Sequence, residues 1–120
     1  MIAIVDYGVG NLYSLSRSLD SLNLKNKVTR DAADLMSADR IILPGVGAFG
    51  DAMAKLTGTG LIPVVRETAS AGVPLLGICL GMQLLFEKGH EYGEHDGLGL
   101  LTGEVRPLAD VLPQGLKVPH

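Results

Sequence analysis

Three short, mostly apolar runs are the feature that most constrains how this chain folds. The runs are IAIVD at residues 2–6, DRIILPGVG at 39–47 and VPLLGI at 73–78. A strand that is apolar on both faces is typical of a parallel sheet with helices packed on either side. We therefore expect these runs to form buried strands of one parallel sheet.

The segments between the runs have helical periodicity. Leucines recur at helical spacing in residues 12–22, and DAADLMSA at 31–38 suits a short helix. Residues 49–72 read as one helix broken at its glycines, and KNKVTR at 25–30 reads as a weak strand. Strands that alternate with helices predict a doubly wound α/β fold, a mostly parallel sheet sandwiched by helices.

The pattern weakens after the third apolar run. LGMQLLFEKG at 80–89 predicts one short helix closed by Gly89, and residues 90–99 predict a polar, glycine-rich loop. Residues 98–108 suit a further strand. The sequence has no internal repeat and no interdomain linker, so we expect a single domain over residues 1–120.

Composition excludes several functional classes. The 120 residues carry a formal charge of −3 without a dense basic cluster, so we expect no nucleic-acid partner. The N-terminus has no basic segment followed by a long apolar one, and a single cysteine forms no internal disulfide. We therefore expect no membrane segment and a cytoplasmic location.

Two glycine-rich loops follow strands but lack the residues of a nucleotide site. GVGN at 8–11 would need a third glycine where Tyr13 stands. The loop at 45–52 has P-loop spacing, but an aspartate and an alanine occupy the lysine and serine or threonine positions. The first loop reads as a turn with Asn11 at a helix start, and the second offers backbone N–H groups that suit a transient oxyanion.

Cys79 stands at the centre of GICLG, after a predicted strand and before a predicted helix. This is the context of a nucleophile elbow, a tight turn in which the residues two before and two after the nucleophile, Gly77 and Gly81, must be small. The helix N-terminus would favour the thiolate, and the Leu80 N–H would face the oxygen that becomes negative during acyl attack. The alternative is that Cys79 is a small buried core residue.

These motifs together resemble a known family. DYGVGN, LPGVGAFGDAM, GVPLLGICLGMQLLFE, GLGLLTGEV and the closing KVPH are similar to segments of class I glutamine amidotransferases, above all the glutaminase subunits of imidazole glycerol phosphate synthase. The likeness runs from Met1 to His120. It implies an amidotransferase-like α/β fold with glutamine as substrate, and neither a cofactor nor a metal.

The resemblance implies a covalent mechanism. Cys79 would attack the side-chain amide of glutamine, release ammonia and form a γ-glutamyl thioester that water hydrolyses. Gln83 matches a glutamine that helps to hold the substrate in the family.

The resemblance also implies roles for the loops. The family's oxyanion strand maps onto Pro44-Gly45-Val46-Gly47, so Gly45 and Gly47 would line the substrate site. The Val46 N–H would complete the oxyanion hole after a peptide reorientation. Asn11 would face the partner, a (β/α)8-barrel cyclase that receives the ammonia and forms imidazole glycerol phosphate.

The family's catalytic base, in a His-x-Glu segment well past the elbow, has no counterpart in these 120 residues. His90 and His95 lie in a charged, glycine-rich loop and read as solvated, and the glycines there also argue against a metal-binding helix. We therefore expect an incomplete amidotransferase domain, an N-terminal fragment that is inactive alone. It should have an unpaired sheet edge, exposed apolar surface and poor solubility.

Two other interpretations stay open. One is a non-catalytic interaction module that keeps the scaffold and the cyclase-facing surface. The other is a cysteine hydrolase with the same elbow and a different substrate. A glutamine-analogue electrophile separates the first from an enzyme, because only a reactive Cys79 is modified selectively at neutral pH.

Overall fold

The computed structural model describes residues 1–119, and His120 lies outside the described residues. Strands and helices alternate as far as Gly77, as predicted. The elements are β1 (Ile2–Val5), α1 (Leu12–Ser21), β2 (Asn26–Thr29), α2 (Ala32–Ser37), β3 (Arg40–Leu43), α3 (Phe49–Gly58), α4 (Ile62–Ser70), β4 (Leu75–Gly77), α5 (Leu80–Leu84), β5 (Phe86–Gly89), β6 (His95–Asp96) and β7 (Leu101–Val105). Within residues 1–119 no helix is long and apolar enough to cross a membrane.

The larger sheet is parallel and has the strand order β2-β1-β3-β4. Ile4 of β1 pairs with Val28 on one side and with Ile42 on the other, and Ile42 pairs in turn with Leu76 of β4. The chain moves outward from β1 to β2 and then returns to the other side of β1, so the winding direction reverses between β1 and β3. The loops after these two strands therefore flank a crevice at the carboxyl edge, where α/β proteins bind ligands.

Helices cover both faces of this sheet. On one face Ile4 packs with Leu19 of α1. On the other face Leu43 packs with buried side chains of α2 to α5, among them Phe49 and Val65. Burial of each of these large side chains stabilises the fold by roughly 2 kcal/mol. The predicted α/β sandwich is confirmed.

Strand β4 is less buried than its apolar sequence predicted. Leu76 is 56% exposed and belongs to neither packed cluster, and β4 has β3 as its one neighbour within the described part of the chain. The sheet edge and the exposed apolar surface expected from the sequence are therefore present. An apolar edge strand of this kind readily pairs with another chain.

The helix predicted over residues 80–89 is wrong in its second half. Helix α5 ends at Leu84, and β5 begins at Phe86. Carbonyl oxygens at and just after the end of α5 accept hydrogen bonds from the N–H groups of Leu98, at 2.8 Å, and Leu101, at 2.9 Å. These carbonyls bind a segment far along the chain, so the helix does not continue.

Strand β5 lies in a second sheet with the order β6-β5-β7. It pairs antiparallel with β6 and parallel with β7. The strand predicted within residues 98–108 is confirmed as β7, whereas the segment predicted as a loop contributes the short strand β6.

Candidate active site

Cys79 occupies a strained turn between β4 and α5. Its backbone angles are φ 54° and ψ −123°, and its side chain is exposed at the carboxyl edge of the larger sheet. A side chain other than glycine at such angles costs about 1–3 kcal/mol, which the surrounding structure must offset. The geometry is that of the predicted elbow, and it rules out the alternative of a buried core cysteine.

The two glycines of the elbow are required by close packing. A Cβ on Gly77 would lie 2.5 Å from the Cα of Met82, and a Cβ on Gly81 would lie 1.9 Å from the carbonyl oxygen of Leu43. Both contacts are with backbone atoms, which have no room to move away. The prediction that small residues must flank Cys79 by two positions is confirmed.

The segment predicted as the oxyanion strand packs directly on the start of α5. Pro44 and Gly45 are buried after β3, and a Cβ on Gly45 would lie 2.7 Å from the N atom of Gly81. The carbonyl oxygen of Gly45 accepts a hydrogen bond of 3.2 Å from the Leu80 N–H. The Leu80 donor is therefore occupied by the protein itself in this conformation, whereas the sequence led us to expect it to be open to a substrate.

The other donors of the first turn of α5 are also occupied. The N–H of Gly81 donates to the carbonyl of Ile78 at 2.9 Å, and the N–H of Met82 donates to that of Cys79 at 3.0 Å. Helix α5 has five residues, so it carries a smaller dipole than a longer helix. These first-turn N–H groups therefore have acceptors within the protein in this arrangement.

Tyr7 holds the oxyanion strand by a hydrogen bond to its first carbonyl group. Its side chain is 3% exposed, and its hydroxyl donates a hydrogen bond of 2.5 Å to the carbonyl oxygen of Pro44. Burial raises the pKa of Tyr7 to about 12, so the phenol keeps its proton and remains a donor. The sequence analysis did not single out this residue, which is 37 positions away from its acceptor.

A groove of about 190 Å³ opens beside the thiol of Cys79. It lies at the crevice between the ends of β1 and β3, and Val46 on its rim is 60% exposed. Asn11 also lines the groove, and its side-chain oxygen accepts from the Ser14 N–H at the start of α1. The structure thus brings Cys79, Gly45, Val46 and Asn11 to one groove, and Leu80 is bonded to Gly45.

Gln83 lines a second recess, of about 160 Å³, which also includes Glu91 and Arg106. One oxygen of Glu91 accepts a hydrogen bond of 3.3 Å from the Phe49 N–H, at the first residue of α3. Arg106 donates to Glu104 at 2.7 Å. The sequence analysis did not place Glu91 beside Gln83, because only the course of β5 brings it back to α3.

A comparison with protein families decides where this chain belongs. The family model for class I glutamine amidotransferases matches residues 3–111, which include the elbow and the oxyanion strand. The chain belongs to this family.

Curated relatives of this amidotransferase chain are described as imidazole glycerol phosphate synthase subunit HisH. The relative from Moorella thermoacetica is 55% identical over 119 residues, which make up 99% of this chain and 55% of that protein. The relatives from Wolinella succinogenes and Bacillus licheniformis are 51% and 52% identical over the whole chain, which covers 59% and 58% of their lengths. The chain therefore spans a little over half the length of the curated relatives it matches.

Solved structures confirm the amidotransferase fold. A crystal structure of a glutamine amidotransferase matches with a TM-score of 0.73 at 24% identity, over 88% of this chain and 56% of that one. A Listeria monocytogenes protein described as a peptidase E matches with a TM-score of 0.67 at 17% identity, over 83% of this chain and 62% of that one. At these identities the likeness establishes the fold alone.

The two described histidines of this amidotransferase chain do not line the groove beside the thiol. The Nε2 atom of His90 lies 3.3 Å from a carboxylate oxygen of Glu104, and His95 packs over Gly50, where a Cβ would lie 2.7 Å from its ring. The hydrogen bond from Arg106, with a smaller contribution from His90, lowers the pKa of Glu104. Within residues 1–119, His, Cys, Asp and Glu side chains form no group of three that could hold a metal ion.

Proposed function

We propose that this chain is the glutaminase part of an imidazole glycerol phosphate synthase, which releases ammonia from glutamine through a thioester on Cys79. The observation that carries the proposal is the elbow, in which an exposed Cys79 at φ 54° lies beside the buried Gly45 of the oxyanion strand. Relatives about half identical to this chain carry the name of that synthase. We propose a cytoplasmic location for the same reason.

The proposed covalent step transfers the γ-glutamyl group from the amide nitrogen to the thiol sulfur. The Sγ atom of Cys79 attacks the amide carbon of the glutamine side chain, an S–C bond forms, and the carbonyl oxygen becomes an oxyanion. The proton that the thiol gives up passes through a base to the nitrogen, and collapse of the intermediate breaks the C–N bond and releases ammonia. Water then attacks the γ-glutamyl thioester, which releases glutamate and restores the thiol.

The oxyanion strand supports a resting and an active arrangement. Rotation of the Gly45–Val46 peptide would withdraw the Gly45 carbonyl from Leu80 and turn the Val46 N–H toward the substrate oxygen. Leu80 and Val46 would then donate together, and each such donor stabilises a transition state by roughly 3 kcal/mol. Hydrolysis is therefore slow until a partner favours the rotated peptide.

The recess next to the elbow has the chemistry to hold the amino-acid end of glutamine. The carboxylate of Glu91 suits an ammonium group, and the amide of Gln83 both donates and accepts hydrogen bonds. Gln83 follows Cys79 by one turn of α5, with its N–H donating to the Cys79 carbonyl at 3.3 Å. Gly45 and Gly47 are proposed to line the other side of the substrate, where a side chain would obstruct its approach.

The base is proposed to come from outside the described residues. Neither His90 nor His95 lines the groove beside Cys79, so neither is placed there to take its proton. The leaving nitrogen and the hydrolytic water both need such a group. Residues 1–119 therefore supply the nucleophile and the oxyanion strand, and a histidine elsewhere supplies proton transfer.

The partner is proposed to be a (β/α)8-barrel cyclase that covers the groove around Cys79. Ammonia forms at the thiol, so an efficient transfer requires the acceptor's channel to open at this groove. Val46 and Asn11 are exposed on its rim, where they are accessible to such a partner.

A chimaera tests the proposal. Residues 1–120 are fused to the remaining part of the Moorella thermoacetica relative and mixed with that organism's cyclase subunit, and ammonia release from glutamine is measured. We expect release by the chimaera, none by its Cys79→Ser variant, and none by the 120 residues alone. Turnover by the 120 residues alone would disprove the assignment of the base, and a folded but inactive chimaera would disprove the function.

A further inference from the structure

Two consecutive carbonyl groups of the oxyanion strand are held by different donors. The Pro44 oxygen accepts from the Tyr7 hydroxyl at 2.5 Å, and the Gly45 oxygen accepts from the Leu80 N–H at 3.2 Å. The first oxygen belongs to the Pro44–Gly45 peptide and the second to the Gly45–Val46 peptide. The second peptide is the one that must rotate in the mechanism proposed above.

We propose that Tyr7 is a positioning residue that fixes the Pro44–Gly45 peptide, so that the Gly45–Val46 peptide reorients alone. This inference rests on the proposed function, because it assigns Tyr7 a part in forming the oxyanion hole. Tyr7 itself does not line the groove beside the thiol.

The packing around Gly45 explains why a fixed point is needed. A Cβ at Gly45 would lie 2.7 Å from the Tyr7 hydroxyl and 2.7 Å from the N atom of Gly81, so the strand runs in a narrow space between β1 and α5. A peptide rotates in place when one torsion angle on each side of it changes in opposite directions. With the Pro44 carbonyl held, those angles are ψ of Gly45 and φ of Val46, and Gly45 has the freedom of a residue without a side chain.

Loss of the hydroxyl would affect both arrangements of the strand. In Tyr7→Phe the buried Pro44 carbonyl loses its donor, which costs free energy even though the ring still fills its place. The Pro44–Gly45 peptide is then free to swing with its neighbour. The bond from Leu80 to Gly45 opens more often, and the Val46 N–H reaches its active orientation less often.

Amide hydrogen exchange of the 120-residue chain tests the positioning directly. We expect Tyr7→Phe to raise the exchange rate of the Leu80 amide about tenfold relative to that of Ile41 in β3, whose N–H donates to Pro74. Tyr13→Phe is the matched control, because Tyr13 is 70% exposed and its hydroxyl accepts a hydrogen bond from the exposed Arg17 side chain. A rise shared equally by Leu80 and Ile41 would mean that Tyr7 acts on global stability and would overturn the proposal, as would no rise.

Labelling of Cys79 tests the consequence for the oxyanion hole. A chloromethyl ketone analogue of glutamine develops an oxyanion during attack, whereas iodoacetamide reacts by direct displacement. In the chimaera bound to the cyclase subunit, which is proposed to favour the rotated peptide, we expect Tyr7→Phe to lower the maximal rate of labelling by the ketone about tenfold, with the half-saturating concentration and the iodoacetamide rate unchanged. An unchanged maximal rate would overturn the role of Tyr7, whereas an unaltered protein that the ketone fails to label at Cys79 would overturn the proposed function.

A measurement on the unaltered protein covers the case in which Tyr7→Phe fails to fold. A buried, hydrogen-bonded hydroxyl exchanges slowly enough to give its own proton resonance. We expect such a resonance for Tyr7 with a nuclear Overhauser contact to Gly45. A hydroxyl that exchanges as fast as that of Tyr13 would contradict the proposal.

Discussion

The backbone N–H of Leu80 donates a hydrogen bond to the carbonyl oxygen of Gly45 at 3.2 Å, which joins the nucleophile elbow to the strand that follows β3. In the proposed mechanism, this one bond closes the oxyanion hole from inside the protein. The active arrangement therefore requires the loss of a bond that the resting fold provides. In that mechanism the elbow is formed before the reaction, and a change in one peptide completes the hole.

The strain at Cys79 predicts a difference between two substitutions. Cys79→Gly relieves the cost of φ 54°, whereas Cys79→Ala keeps it, so we expect the glycine variant to be more stable than the alanine variant by about 1 kcal/mol. Urea denaturation measures the two free energies of unfolding. An alanine variant at least as stable as the glycine variant would mean that the turn is not strained.

The close approach of α5 to β3 predicts a large effect of a single methyl group. In Gly81→Ala the new Cβ would lie 1.9 Å from the Leu43 carbonyl oxygen, so we expect a loss of about 3 kcal/mol or more in unfolding free energy. Gly58→Ala is the matched control, because nothing lies within 4 Å of its Cβ and alanine favours a helix. Equal stability of the two variants would contradict the packing described for the elbow.

The contacts of the Asp34 carboxylate predict that the fold loses part of its stability at low pH. The Thr29 hydroxyl donates to its carboxylate at 2.6 Å and Lys27 lies at 3.0 Å, and these contacts, Thr29 first, lower the pKa of Asp34 from 3.8. A lowered folded-state pKa stabilises the protein above pH 3.8, and this contribution is lost as the pH falls through the folded value. We expect Thr29→Val to raise the pKa of Asp34 in an NMR titration.

Thr57→Val is the control for that titration. Its hydroxyl donates to the backbone carbonyl of Met53 and touches no carboxylate, so the pKa of Asp34 should stay where it is. If Asp34 had the same pKa in Thr29→Val as in the unaltered protein, the hydrogen bond from Thr29 would not be the cause of the shift.

The position of Gln83 predicts that its removal weakens binding of the glutamine analogue and leaves the reactivity of the Cys79 thiol unchanged. We expect Gln83→Ala to raise the half-saturating concentration of the glutamine chloromethyl ketone roughly tenfold, the size of one lost hydrogen bond to a charged group. The rate with iodoacetamide should not change, because Gln83 lines the recess that includes Glu91 and not the groove at Cys79. Gln114→Ala, at an exposed position outside both cavities, is expected to label normally. Equal half-saturating concentrations of the ketone in the two variants would exclude Gln83 from the substrate site.

The parts of the site that could be predicted from the sequence are those fixed by local sterics. Cys79 with its flanking Gly77 and Gly81 is recognisable because the turn itself demands those residue types, and the alternating strands and helices follow from periodicity. The support from Tyr7 could not be predicted, because it joins residues 37 positions apart. The end of α5 at Leu84 depends on later residues that bind its carbonyls, so the local pattern favoured a longer helix.

The conformation of the oxyanion strand likewise could not be predicted from the sequence. The same glycines permit both orientations of the Gly45–Val46 peptide, so the pattern locates the strand without choosing between them. The packing of Gly45 against the N atom of Gly81 and its bond from Leu80 make that choice in the resting protein.

The central claim is that Cys79 is a nucleophile for the side-chain amide of glutamine. Intact-mass measurement after treatment with the glutamine chloromethyl ketone at neutral pH tests it most directly. The account predicts a single adduct, mapped to Cys79, whose formation slows when excess glutamine is present and is absent in Cys79→Ser. No adduct at Cys79, or an adduct that forms equally fast with and without glutamine, would contradict the account.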